Sequence, residues 1–295
     1  MVRTWQYASQ ACQPSGWKAT ILVLGKRLSS GRDDGEFVGG AVPDGAREAT
    51  LCVLALGRAR VERDGRPLDS PDLIQKPRKL LYYLLSHPEG RAKEQTGLAL
   101  CPEPSAPQLR SSFHDTVFRL RRALGGKEWV IFEDRRYAFG GSGGYFYDVR
   151  SFEERLSEAR RLGPESPEEA IAHLEEAAGL YKGDFLEDLA VEGEWALERQ
   201  EELRRSYGES LLLLGGLLGA AGRHAEAADA YRKAVSHERF LEEAHRGLMR
   251  SQAALGEAGG ALSHYEELAR MLREQLGSRP SSETTALYES LRSGQ

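Results

Sequence analysis

The stretch SAPQLRSSFHDTVFRLRRALGG, residues 105–126, decides how the chain is read. Leu109, Phe113, Val117, Leu120 and Leu124 recur every three or four residues, the spacing of one buried helical face. At about 100° per residue, Ser111, Asp115, Phe118 and Arg122 share the opposite face, flanked by His114 and Arg119. Pro104 and Pro107 stand at or before the start, and Gly125 with Gly126 closes the run, as helix start and stop signals require. Such a helix is either an ordinary surface helix or the helix that a DNA-binding domain sets in a major groove. Its neighbours decide between the two.

On the N-terminal side, alternation over residues 51–61 and a turn at Asp64 and Gly65 predict a small antiparallel sheet of about three short strands. Pro77 opens a helix that runs to a stop at His87 and Pro88, and a second short helix spans residues 93–100. On the C-terminal side, EWVIFE and RYAFGG meet at Asp134, Arg135 and Arg136, which is a hairpin by pattern. Strands, three helices and a hairpin within about 100 residues describe a winged helix–turn–helix, with residues 105–125 as recognition helix and 129–139 as wing.

Charge divides the chain in the same place. Residues 49–147 carry 16 Lys and Arg against 11 Asp and Glu, whereas residues 148–295 carry 18 against 29, in a chain of net charge −5. A basic middle suits a polyanion, and an acidic C-terminal half avoids one while suiting a basic partner, such as part of RNA polymerase. Residues 1–48 hold seven glycines and few long apolar side chains, and read as a flexible extension with one short strand at 21–24. The three cysteines, Cys12, Cys52 and Cys101, are odd in number and widely spaced, which fits a reducing cytoplasm rather than a disulfide framework or a zinc site. No run reaches the 18 or more apolar residues of a membrane span, so no membrane association is expected.

From Asp148 onward the pattern is helical, with helices expected over 151–161, 167–181, 194–221, 224–237, 241–255, 259–276 and 282–291. GRHAEAADAY at 222–231 aligns with GEAGGALSHY at 256–265, an offset of 34 residues, with Gly222/Gly256, Ala227/Ala261 and Tyr231/Tyr265 matched. That offset is the tetratricopeptide period. Chance similarity between Ala-rich helices is the competing explanation, and three identities at turn and crossing positions weigh against it. The expected fold is therefore mostly α with a small β component: extension 1–48, winged helix–turn–helix 49–147, and an all-α tetratricopeptide-like repeat domain 148–295.

Each candidate DNA contact also has a plain structural reading. Lys76, Arg78 and Lys79 are placed as phosphate clamps that set position without reading sequence. Arg110, Ser111 and His114 lie toward the helix start, where they meet phosphates or base edges, or simply solvent. Arg119 and Arg122 can bind guanine O6 and N7, or complement the negative end of their own helix. Asp115 accepts from cytosine N4 or orients an arginine. Phe118 meets a thymine methyl or packs on a loop. Arg135 and Arg136 enter a minor groove or touch phosphates. Arg121, at the border of the buried face, is assigned to protein or phosphate. No phosphate-binding G-x-x-x-x-G-K-[ST] run and no His/Cys pair at ligand spacing occurs, so neither catalysis nor a cofactor or metal is expected.

LCVLALGRARVERDGRPL, KPRKLLYYLL and FHDTVFRLRRALG resemble the OmpR-type winged helix of Streptomyces-antibiotic-regulatory-protein-like regulators. YDVRSFEERL, LYKGDFLEDL, Trp195 with Glu198 and Arg199, and LEEAHRGLMRSQAALGEAGGAL are similar to the bacterial transcriptional activator domain. The resemblance implies a cytoplasmic, sequence-specific transcriptional regulator, an activator, on double-stranded promoter DNA, often as a homodimer on direct repeats. The alternative is a helical-repeat scaffold whose winged helix docks protein rather than DNA.

Overall fold

The computed structural model describes residues 51–100, 106–140, 144–163, 165–189 and 194–294, and for residues 106–112 the helical backbone alone. The expected extension 1–48 with its strand at 21–24, Cys12 and Cys101 therefore lie outside the described residues, as do the side chains of Leu109, Arg110 and Ser111.

Three strands open the described chain: β1 (Leu51–Leu54), β2 (Arg60–Arg63) and β3 (Arg66–Pro67). They pair antiparallel, Leu51 opposite Arg63 and Arg63 opposite Arg66. The β2–β3 turn holds Asp64 at φ 50° and Gly65 at φ 73°, the left-handed pair whose twist matches the strands. Helices α1 (Lys76–Leu85), α2 (Lys93–Leu100) and α3 (Ala106–Ala123) follow, with a two-residue strand β4 (Arg91–Ala92) just before α2. A single 3-10 turn leads to the hairpin β5 (Val130–Glu133) and β6 (Arg136–Phe139), and then to β7 (Tyr145–Tyr147).

Two features depart from the expected three-stranded sheet and simple hairpin. β7 pairs parallel to β1, Leu51 opposite Tyr145, giving a mixed four-stranded sheet in the order β3-β2-β1-β7. A parallel neighbour needs a long crossover, and here α1 to α3 and the hairpin supply it. The hairpin also gains an edge strand, since β4 pairs with β6. The helices pack beneath: α1 buries Leu80, Leu81, Tyr82 and Leu84, and α3 buries Phe113, Val117, Leu120 and Ala123. This is a winged helix–turn–helix with an additional N-terminal sheet.

Seven helices follow among the described residues: α4 (Asp148–Leu162), α5 (Pro167–Leu180), α6 (Glu194–Ala220), α7 (His224–His237), α8 (Glu242–Ala254), α9 (Ala258–Leu276) and α10 (Ser282–Ser293). Each packs on the next, and α6 also touches α8 and α8 touches α10, the nearest-neighbour pattern of a helical solenoid. Gly222 and Gly256, matched in sequence, sit at φ 75° and 81°, the left-handed turn that glycine adopts without a Cβ penalty. The repeat is thus visible in backbone geometry as well as sequence.

The segment between α5 and α6 clasps the end of the first sheet. Leu186 N donates to Ala55 O at 2.8 Å, Gly57 N to Asp184 O at 3.0 Å, and Ala59 N to Asp188 Oδ1 at 2.7 Å. Gly57, at φ 105°, lies so close to Lys182 and Gly183 that a Cβ would stand 3.3 Å from their backbone. One hydrophobic cluster runs unbroken from Leu51 through α1, α3 and α4 to Ala230 in α7. None of the described helices is long and apolar enough to cross a membrane.

Candidate nucleic-acid interface

The exposed face of α3 carries His114, Asp115, Phe118 and Arg122, with Arg119 half-buried beside them. Phe118 is 60% exposed, a large aromatic surface left in solvent on a helix whose other face is packed. The Arg122 guanidinium lies 5.6 Å from its ring centroid, within cation–π range. The Lys93 ammonium donates to His114 Nε2 at 2.9 Å, joining the start of α2 to this face. Lys93, at the start of α2, is a cation on this surface that periodicity within α3 does not reveal.

Arg119 and Arg122 are paired with protein. Arg122 donates through Nε and Nη2 to the two oxygens of Asp72, in the loop before α1. Arg119 reaches the same carboxylate from Nε at 3.4 Å and donates from Nη2 to Pro71 O at 2.8 Å. The hydrogen bond from Arg122, assisted by its charge and that of Arg119, holds the Asp72 carboxyl below the usual carboxylate range. Neither the helix-dipole reading nor the DNA reading of these arginines anticipates Asp72. Arg121 donates to Val130 O at 3.0 Å, tying the end of α3 to the first strand of the wing, as its place at the border of the buried face implies.

The three cations at the start of α1 divide. Arg78 turns inward and donates to Ala59 O, so its guanidinium braces the sheet rather than facing outward. The reason is periodic: Arg78 shares a face with Leu81, Tyr82 and Leu85, all buried. Lys76 and Lys79 are half-buried, and their ammonium groups make no hydrogen bond or ion pair among the described residues. The first turn of α1 has no acidic residue and Gln75 supplies no side-chain cap, so two lysines sit at the positive end of a helix. That placement is unfavourable for the isolated helix and favourable once a phosphate binds there.

At the wing tip, Asp134 and Arg135 take φ 49° and 63°, a two-residue left-handed turn of the kind Asn-Gly usually fills. Arg135 and Arg136 are exposed, and Arg136 Nη1 makes only a long contact, 3.5 Å, with Gly90 O. A left-handed conformation costs a residue with a Cβ about 1–2 kcal/mol. Arg135→Gly is therefore expected to stabilise the fold by about 1 kcal/mol, read as a raised urea midpoint. If the tip touches DNA, the same change weakens duplex affinity severalfold; unchanged affinity would remove Arg135 from the interface. Arg110 and Ser111 fall among the side chains that are not described.

Fold and surface together define a winged helix–turn–helix joined to a helical-repeat domain. Residues 147–292 match the model of the bacterial transcriptional activator domain. Among solved structures, Mycobacterium tuberculosis EmbR in complex with a low-affinity phosphopeptide is similar at TM-score 0.70 and 21% identity, over 84% of this chain and 66% of that one. This chain thus spans just under two thirds of the length of the EmbR chain, and the likeness is one of fold. The C-terminal TPR-containing domain of a Plasmodium falciparum FK506-binding protein gives TM-score 0.37 and 16% identity over 50% of this chain and 89% of that one. No curated protein sequence matches the chain.

Proposed function

We propose that the chain is a sequence-specific DNA-binding transcriptional regulator, an activator, with an OmpR-type winged helix. In this reading α3 enters the major groove, the Arg135–Arg136 tip meets the minor groove or phosphates, and Lys76 and Lys79 clamp the backbone. The observation that carries it is the outer face of α3: His114, Asp115, Phe118 and Arg122 stand exposed on the third helix, directly before a wing that ends in two exposed arginines. The activator-domain match over residues 147–292 supports the second half of the reading, in which the acidic repeat domain meets the transcription machinery, RNA polymerase included.

Fluorescence anisotropy of the full chain against a pool of genomic duplex fragments, across a salt series, tests it. Affinity should fall steeply with salt, with a log–log slope of about −0.9 per phosphate contacted. Lys79→Ala should weaken all sequences alike and reduce that slope by about 1. Arg122→Ala should instead relax base preference, by about 1–3 kcal/mol of discrimination at one position. Absence of duplex binding at low salt would sink the reading.

A further inference from the structure

The pairing of Arg122 with Asp72 uses one particular edge of the guanidinium. Nε and Nη2 go to the carboxylate, whereas Nη1 has no partner among the described residues. The Arg122 side chain is still 60% exposed, and the Asp72 side chain only 13%. The acid is thus seated in the protein, and the arginine stands on it with its far end in solvent. Phe118 flanks the same guanidinium, so two neighbours fix its plane.

An arginine free in solvent loses rotamer freedom when it is immobilised, and a partner that orders it beforehand removes most of that loss from the binding step. Guanine presents O6 and N7 side by side, and the Nη1/Nη2 end of a guanidinium matches them bidentately. A carboxylate on the Nε/Nη2 edge leaves that end available. The same carboxylate also takes Arg119, so one negative charge offsets two positive ones on the face of α3. This lowers attraction to phosphates of any sequence while keeping the geometry of one arginine.

We infer that Asp72 is a specificity-determining positioning residue, which holds Arg122 by its Nε/Nη2 edge so that the Nη1/Nη2 end reads a guanine. The inference rests on the DNA-binding reading above and adds a residue from outside the recognition helix to it. Asp72 touches no base; it acts through Arg122.

Selection of bound sequences from a random duplex library, with anisotropy on one selected and one unrelated duplex, tests it in the full chain. The variants are Asp72→Asn, Arg122→Lys, Arg122→Ala and the Asp72→Asn/Arg122→Ala pair. The wild type should select a motif with one guanine that Arg122→Ala no longer prefers. Asp72→Asn should flatten the preference at that same position about tenfold, with equal or tighter binding to the unrelated duplex. Arg122→Lys, which cannot make the paired contact, should behave like Asp72→Asn. The double variant should match Arg122→Ala, because both substitutions remove one device. Retention of the guanine preference in Asp72→Asn overturns the inference and leaves DNA binding standing. So does equal weakening of both duplexes, which marks a purely structural role. Failure of the wild type to bind any duplex overturns the DNA reading itself.

Discussion

Asp148→Ala is expected to destabilise the protein by about 3 kcal/mol, from two stranded donors at about 1–3 kcal/mol each. The residue looks unremarkable in sequence, an acid in the first turn of α4 where it complements the helix dipole. In the fold its side chain is buried, with the residue 3% exposed, and its carboxylate accepts from Ala55 N at 2.8 Å, Leu56 N at 2.9 Å and Val149 N at 2.8 Å. Ala55 and Leu56 continue from the end of β1, so one carboxylate joins the N-terminal sheet to the first helix of the repeat region. Alanine leaves the amides of Ala55 and Leu56 buried without an acceptor. Equilibrium urea unfolding measures the loss, and a shift below 1 kcal/mol would show that these amides find other partners.

The same carboxylate predicts a pH dependence. Burial pushes the Asp148 carboxyl up from 3.8 to about 6, against the pull of the Leu56, Ala55 and Val149 amides. A pKa raised on folding means the folded state holds the proton more tightly. The contribution to stability is then fully present below the unfolded value of 3.8 and is lost as pH rises through about 6. Asp148→Asn cannot titrate. The wild type should therefore gain on this variant as pH falls from 7 toward 4, by up to about 3 kcal/mol at 1.36 kcal/mol per unit. A stability difference independent of pH across that window would contradict the assignment.

What could be read from the sequence depends on how local the cause is. Helix α3 was legible because its buried stripe repeats within 18 residues; Phe113, Val117, Leu120 and Leu124 are all at most 4% exposed. The end of α2, two residues before Pro102, and the start of α7, just after Gly222, are legible as well from Pro and Gly punctuation. β4 and β7, at two and three residues, are too short for any alternation to register. Their pairing is set by the crossover that returns the chain beside β1. Asp72 and Asp148 act on partners 50 and 92–93 residues away, and no periodicity links such positions. Arg78 is different. Its spacing to Leu81, Tyr82 and Leu85 already put it on the buried face, and the local run of basic residues hid that signal.

Gly247→Ala is expected to destabilise the repeat domain by about 2 kcal/mol, although alanine is the better helix former by about 1 kcal/mol. The opposing term is steric. A Cβ at Gly247 would stand 2.3 Å from the ring of Tyr231, and one at Gly215 would stand 2.7 Å from the same ring. Tyr231, in α7, is therefore wedged between the backbones of α6 and α8, and a ring held on both sides cannot retreat from a new methyl group. The repeat assigns this tyrosine and Tyr265 to matching positions, and Tyr265 likewise packs in its own helix pair, stacking on Tyr288 with centroids 4.1 Å apart. A double-mutant cycle separates the steric term from helix propensity. In a Tyr231→Ala background the space opposite Gly247 is open, so Gly247→Ala should change sign and stabilise by up to about 1 kcal/mol. Thermal or urea unfolding of the four proteins reads this directly. If Gly247→Ala costs the same with and without the tyrosine ring, the glycine is required by something other than Tyr231, and the wedge does not set how closely α6, α7 and α8 approach.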